Sequence, residues 1–353
     1  MKIVSIVGAR PQFIKAAAVS RVLRRRDTEI LVHTGQHYDE SMSDVFFQAL
    51  EIPLPDYNLE VGSGSHARQT GEMLVRIEEV LASVRPDAVL VYGDTNSTLA
   101  GGLAASKLHI PVGHVEAGLR SFNRTMPEEL NRVVADHLSN LLFCPTQTAV
   151  DNLHREGVVK GVHLVGDVMY DVALTHAQQA RKRDIVSRLG LTPQGYVLAT
   201  VHRPANVDDR ETLGSILKAF SECGEIVVFP VHPRTRKNLT QINLDRGLPK
   251  SVRLLEPVDY LDFLALVISA KKVATDSGGV QKEAYFFGIP CVTLRDETEW
   301  METVEDGWNA VVGTQTADIV DAIRNFNPQG TKSKSFGDGH AAEKIVKLLE
   351  SLA

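Results

Sequence analysis

Cysteine is scarce in this chain, with 3 residues among 353, at positions 144, 223 and 291. They are odd in number, far apart and without metal-ligand spacing. That argues against a disulfide framework or a metal site and suits a reducing cytoplasm. No apolar run is long enough to span a membrane. The opening MKIVSIVGARPQF carries one lysine and then a buried-strand pattern, without the longer apolar region and cleavage site of a signal peptide. Basic charge is not in excess. A net charge of −6 gives no electrostatic reason to expect nucleic acid or an anionic membrane as a partner. The glycines after the first strand form neither G-x-G-x-x-G nor a P-loop. There is no internal repeat and no low-complexity tract.

What is present reads as a globular α/β protein, 43% hydrophobic and 23% charged. Its length exceeds one ordinary core and suits two domains. Short β-branched runs (KIVSIVG, EILVHT, AVLVYGD, PVGHVE, LLFCP, then VHLVGD, YVLATVH, IVVFPVH, VRLLEP, KKVATD, PCVTLR) alternate with amphipathic stretches such as PQFIKAAAVSRVLRR. This alternation predicts parallel sheets covered on both faces, in two doubly wound Rossmann-like domains. The boundary is expected near Gly166, giving domains over 1–166 and 167–335. A last helix over 336–353 is assignable to either domain.

Polar residues gather where strands end, in GARPQ, HTGQH, YGDTNST, HVEAGLR, TVHRPAN, PVHPRT and ATDSGG. Strand-end loops carry function in such folds, so seven loaded turns point to one interdomain cleft. In DSGGVQKE, Ser277, Gly278 and Gly279 open a helix whose N–H groups and dipole suit a phosphate, while Asp276 or Ser277 equally suits an ordinary cap. Glu283 lies one turn on. A carboxylate there would repel a diphosphate but accept hydrogen bonds from the hydroxyls of a neighbouring ribose.

Arg10 is placed to reach a phosphate, with Lys15 on the helix that follows. Asp94 and Glu116 end neighbouring predicted strands, so their carboxylates should converge, with Glu128 reaching in from a helix start beside Glu129 and Arg132. Clustered carboxylates make acids and bases, yet Asp94 also reads as an N-cap and P-E-E as a plain first turn. His202 and Arg203, then His232 and Arg234, fall at strand ends of the second half. Phe263 fits a helix core on pattern, with base stacking as the other reading.

Taken in order, GARPxxIK, GQH, GDTxSTLA, HVEAGLRS, MPEExNR, HR-x-x-N, HPRT, DSGGVQKEA and LRDxTE resemble the non-hydrolysing UDP-N-acetylglucosamine 2-epimerases along essentially the whole chain. The resemblance implies the two-domain fold of the glycogen-phosphorylase type (GT-B), a UDP-sugar as the small-molecule partner, no cofactor, and a homodimer. It assigns Arg10, Ser277, Gly278 and Gly279 to the diphosphate, Glu283 to the ribose and Phe263 to the uracil, with His232 and Arg234 on the nucleotide side. It assigns Asp94, Glu116, Glu128 and His202 to catalysis, with Lys15 and Arg132 beside them. The implied chemistry is elimination of UDP to a 2-acetamidoglucal and re-addition to the opposite epimer.

Three motifs depart from the family pattern. Gln12 stands for a glutamate, Ala205 for a glutamate, and Trp300-Met301 for arginine-proline. Fewer carboxylates around the cleft would suit an acidic sugar, and GARPQFIK, QKEAYFFG and TEW resemble the branch acting on UDP-2,3-diacetamido-2,3-dideoxy-glucuronate. Tyr38 and Asp39 after GQH depart from the Arg/Gln-like pattern of members activated by a second substrate molecule. A glycosyltransferase would need an acceptor groove, and no basic-apolar patch near the N-terminal loops suggests one. A non-catalytic sugar-nucleotide sensor would have lost Asp94, Glu116 and Glu128. A hydrolysing epimerase is not separated by sequence.

Overall fold

The computed structural model describes residues 1–36, 52–241, 243–244 and 247–352; the side chain of Arg10 and the whole of His37, Tyr38 and Asp39 lie outside that part. The chain forms two compact units, Met1–Leu174 with Lys334–Ala353, and Thr175–Ser333.

Among the described residues the first unit has one seven-stranded sheet. Its strands are β1 (Lys2–Val7), β2 (Thr28–His33), β3 (Tyr57–Asn58), β4 (Ala88–Tyr92), β5 (Val112–Val115), β6 (Leu141–Cys144) and β7 (Val162–Leu164). They lie in the order β3-β2-β1-β4-β5-β6-β7, and every pairing is parallel. Helices α1 (Arg10–Leu23), α2 (His66–Val84), α3 (Asn96–Lys107), α4 (Pro127–Leu138) and α5 (Gln147–Arg155) connect them, and α6 (Val168–Ala180) follows β7. Ile3, Val4, Ile6 and Val7 of β1 are fully buried, the near-continuous apolar run expected of a strand covered on both faces.

The second unit repeats the plan with six strands: β8 (Val197–Thr200), β9 (Val227–Pro230), β10 (Val252–Leu255), β11 (Lys272–Thr275), β12 (Cys291–Thr293) and β13 (Asn309–Val311). Their order is β10-β9-β8-β11-β12-β13, again all parallel. Its helices are α7 (Ile185–Arg188), α8 (Pro204–Val207), α9 (Arg210–Glu222), α10 (Pro233–Gln241), α11 (Tyr260–Ser269), α12 (Gly278–Phe286), α13 (Met301–Glu305) and α14 (Thr316–Asn325). Lys272 opens β11 fully buried, and its ammonium donates to the Ala322 and Ile323 carbonyls at 3.3 and 2.7 Å, capping the last turn of α14. Among the described residues no helix is long and apolar enough to cross a membrane.

Both sheets reverse direction once, between β1 and β4 in one unit and between β8 and β11 in the other. The crevice outside the strand ends at such a reversal is where doubly wound sheets hold ligands. GARPQ and YGDTNST flank the first reversal, and TVHRPAN and ATDSGG flank the second. Two strands had no signal in the sequence reading, β3 and β13. They are two and three residues long at sheet edges, and both residues of β3 are exposed.

The division after Leu174 replaces the one expected at Gly166, and the second unit ends at Ser333 rather than 335. Residues 167–174 pack with the first unit, where Asp167 N–H donates to the Phe336 carbonyl at 3.0 Å. The last helix, α15 (Ala341–Leu349), also belongs there. Buried Asp171 of α6 accepts the Ala341 and Ala342 N–H groups at 3.1 and 2.8 Å, which caps the start of α15 across the chain. Burial pushes its carboxyl up to about 6 in spite of those donors. Asp171→Ala leaves two buried N–H groups without an acceptor and is expected to lower the unfolding free energy by about 1–3 kcal/mol. Urea titration beside the parent protein measures it, and an unmoved midpoint would remove Asp171 as the clasp of α15.

Candidate active site

At the reversal of the first sheet the chain leaves β1 through Gly8. A Cβ added there would lie 1.9 Å from Ser97 Oγ and 2.4 Å from Thr34 Oγ1, so only glycine lets this backbone reach the start of α3. Gln12 holds it. Its Oε1 accepts the Gly8 and Ala9 N–H groups at 2.7 and 3.1 Å, and its Nε2 donates to the Tyr92 carbonyl at 2.6 Å and to Thr98 Oγ1 at 3.0 Å. The side-chain amide is fully used and the residue is buried. Gln12 therefore braces the ends of β1 and β4. The expectation that its departure from glutamate clears charge from around a sugar is corrected by these four bonds.

Asp94 and Glu116 come together through Gly93. Tyr92 pairs with Val115 in register, and the Gly93 N–H donates to the Val115 carbonyl at 2.9 Å. Lys15 of α1 forms an ion pair with Glu116, and a Cβ added at Gly93 would lie 3.1 Å from Lys15 Nζ and 3.3 Å from Glu116 Oε2. Asp94 pairs with Arg132, whose Nη1 also donates to Glu129 Oε2 at 2.9 Å. Each of the two carboxylates thus has its own cation. Glu116 holds a left-handed backbone with φ 70°, a conformation that costs a residue with a Cβ about 1–3 kcal/mol. Such strain persists where the surroundings over-determine it, and marks sites.

The P-E-E turn separates its two acids. Glu129 is buried and accepts the Ser121 N–H and Oγ–H at 2.9 and 3.0 Å and the Phe122 N–H at 2.9 Å, so it anchors the preceding loop. Glu128 is exposed and, among the described residues, has no hydrogen bond or ion pair, so none joins it to Asp94 or Glu116.

In the second unit Asp276 is fully buried and accepts the His202 N–H at 3.0 Å, the Arg203 N–H at 2.9 Å and Asn206 Nδ2–H at 3.1 Å. It caps the turn into α8, not α12. The residue before α12 is Ser277, whose side chain makes no capping bond. A Cβ at Gly279 would meet only Ser277 Oγ, at 3.9 Å. The dipole of α12 and Gly279 therefore present an uncapped helix start suited to a phosphate, open at Gly279 and bounded at Gly278 by the Trp300 ring.

Glu283 lies one turn on, 4% exposed; burial pushes it up to about 7, while the Tyr260 hydroxyl and the Lys282 charge pull it down. Tyr260 and half-buried Phe263 share a face of α11 one turn apart, which brings Phe263 to the Glu283 side of the unit. Burial holds the His202 imidazole below its usual range, with Asp276 opposing and Arg203 reinforcing, which favours the neutral ring near pH 7. Its ring lies 5.8 Å from that of His232. Arg234 is half-exposed and forks onto Asp208, so among the described residues its guanidinium is engaged on the surface.

Sequence reasoning gave no role to several residues around this ground. Trp300 is buried, its Nε1 would lie 3.0 Å from a Cβ at Gly278, and Lys282 sits 3.9 Å over its ring. Glu299 accepts from Arg295 at 2.8 Å and Arg203 at 3.2 Å. Burial pushes its carboxyl up, but those two cations hold it below the usual range. In the first unit His114 and Asp136 escaped notice. His114 is quoted inside HVEAGLR, but nothing in the pattern marks Asp136.

The family model described as UDP-N-acetylglucosamine 2-epimerase matches residues 21–350. A Methanococcus maripaludis protein named UDP-N-acetylglucosamine 2-epimerase homolog is 55% identical, with 100% of both chains covered. The UDP-2,3-diacetamido-2,3-dideoxy-D-glucuronate 2-epimerase of Pseudomonas aeruginosa is 49% identical, also over 100% of both. A crystal structure of the Methanocaldococcus jannaschii UDP-GlcNAc 2-epimerase in complex with UDP-GlcNAc and UDP is 44% identical and superposes with a TM-score of 0.92, covering 99% of this chain and 100% of that one.

The raised Glu283 carboxyl makes a pH prediction. A folded value above the unfolded one contributes stability that is complete below about 4.3 and is lost as the pH rises through about 7. Glu283→Gln is expected to flatten that fall in the unfolding free energy between pH 4 and 7. Parallel slopes for variant and parent would show that Glu283 is not its source.

Proposed function

The chain belongs to the UDP-N-acetylglucosamine 2-epimerase family, and on that premise we propose that it is a non-hydrolysing epimerase interconverting UDP-N-acetylglucosamine and UDP-N-acetylmannosamine. The observation that carries this reading is the pair of strand-end carboxylates, Asp94 and Glu116, each matched to its own cation beside one strained turn.

The C2 proton of an N-acetyl sugar is not next to a carbonyl, so simple deprotonation is very costly. Elimination avoids that cost. A base takes the C2 proton as the C1–O bond breaks. The C–H electrons form the C1–C2 double bond of a 2-acetamidoglucal, and the C1–O electrons leave on UDP. Return of a proton to the opposite face of C2 and re-addition of the UDP oxygen to C1 complete the exchange with no net gain or loss of atoms. Acid and base must be different groups on opposite faces. Asp94, Glu116, Glu128 and His202 are the groups for these roles, with Lys15 and Arg132 setting the local charge. The leaving diphosphate is stabilised by the α12 start at Ser277, Gly278 and Gly279 and by Arg10. Glu283 takes the ribose, Phe263 the uracil, and His232 lies on the nucleotide side. Arg234 reaches the nucleotide only by leaving Asp208. The same reading has the protein act as a homodimer in a reducing cytoplasm, in keeping with its three buried free thiols.

A second reading, the same chemistry on UDP-2,3-diacetamido-2,3-dideoxy-glucuronate, is favoured by the 49% identity to the Pseudomonas enzyme and by exposed Ala205 where the family pattern has a carboxylate. Proton NMR in D2O separates the two. UDP-N-acetylmannosamine signals with deuterium at C2 and no free sugar support the first. No exchange from protein that binds UDP, followed by turnover of the diacetamido-glucuronate, supports the second. On whichever sugar turns over, Asp94→Asn is expected to lower kcat at least about 100-fold while UDP binding measured by calorimetry is kept. Retained turnover would take Asp94 out of the mechanism.

A further inference from the structure

Within the first unit His114 and Asp136 form a fully buried pair. Such a pair is costly to desolvate, and replacement by apolar residues is often neutral or better for stability. Its presence therefore asks for a role other than holding the fold. His114, on β5, faces an acceptor on each side. Nδ1 lies 2.7 Å from Asp136 Oδ1, and Nε2 lies 2.7 Å from the Gly93 carbonyl. The Gly93 carbonyl can only accept, so Nε2 carries the N–H at that contact, while Asp136 holds the other side of the ring. Asp136, on α4, also accepts the Gly118 N–H at 3.1 Å and Arg120 Nη1–H at 2.7 Å, while Arg120 forks onto Glu156 with two bonds of 2.7 Å. Burial pushes the Asp136 carboxyl up, but the charges and hydrogen bonds of His114 and Arg120 hold it below the usual range.

The two ends of this chain of bonds are the two turns that carry the candidate catalytic carboxylates. Gly93 precedes Asp94, and Gly118 follows Glu116 by two residues. Neither turn is set by its own backbone alone. Gly93 and Gly118 are left-handed with φ 61° and 80°, and Glu116 between them in space is left-handed with a Cβ to accommodate. Asp136 holds one turn directly and the other through His114.

We propose that His114, oriented by Asp136, is a positioning residue that fixes the separation of Asp94 and Glu116 for proton transfer at C2. The inference rests on the epimerase reading and extends it to residues that touch no substrate. A displacement of about 1 Å at reacting groups costs on the order of 100-fold in rate, so the effect belongs in kcat. Apart from Arg10, the groups assigned to UDP lie in the other unit, so UDP affinity and KM should be little changed.

Three substitutions of His114 and one of Asp136 on the full chain, all checked for folding by circular dichroism, test this. Gln places an amide N–H near the position of Nε2 and can still reach the Gly93 carbonyl. Asn reaches only as far as the Nδ1 position, and Phe keeps the volume and donates nothing. His114→Phe and His114→Asn are expected to lower kcat about 100-fold with KM changed less than about threefold, and His114→Gln to recover at least about tenfold of the loss. Asp136→Asn, which leaves the His114 ring in place but weakens its orientation, is expected to lower kcat at least about tenfold with KM changed less than about threefold. A folded His114→Phe or Asp136→Asn with parental kcat, or a loss shared equally by all three His114 variants, overturns the positioning role while leaving the epimerase reading standing. A parent protein inactive on both UDP-sugars overturns the epimerase reading and this role with it. If the His114 variants do not fold, Asp136→Asn decides.

Discussion

A buried carboxylate, Asp136, gathers three donors from β5 and the turn beyond it, and through His114 reaches the Gly93 carbonyl at the end of β4, so the turns that carry Asp94 and Glu116 are tied through one side chain. Parallel strands deliver their ends to one side of a sheet, but they do not fix how the turns beyond those ends stand to one another. Polar side chains under the turns supply that information. Asp136 does so beneath β4 and β5, Gln12 does so between β1 and β4, and Asp276 does so between β8 and β11. The common device is a buried acceptor or amide that satisfies backbone N–H groups which a turn would otherwise leave unpaired.

Much of this was legible in the sequence. The strand–helix alternation announced two parallel sheets because strands buried on both faces lose polar alternation, as KIVSIV does. The strand-end turns announced where the polar side chains gather, because loops there hold the polar residues that the strands exclude. What stayed hidden was directional. HVEAGLR shows a histidine and a glutamate, yet only the register of β4 with β5 reveals that His114 points under Gly93 while Glu116 points at Lys15. Asp136 sits in the last turn of α4 among residues that read as an amphipathic face. The P-E-E turn cannot say which acid turns inward, and the structure gives Glu129 that place.

The departures from the family pattern divide in the same way. Gln12 answers a backbone need, donating to the Tyr92 carbonyl where an ionised glutamate has no hydrogen to give. Trp300 is different, since it lies against Gly278 with a buried lysine over its ring, beside the helix start that suits a phosphate. A substrate difference within the family is therefore better sought around Trp300 and Ala205 than at Gln12.

The return of α15 to the first unit has a consequence for synthesis. The second unit is contiguous, so its residues are all available before translation ends. The first unit is not, because the helix that Asp171 caps follows the whole of the second unit in the chain. On the ribosome the carboxylate-bearing half must wait, incomplete, for the second unit to emerge and for α15 to follow. A truncation near the C-terminus thus strikes the unit that begins the chain, and a stalled or clipped product would keep an intact second unit attached to an unfinished first one.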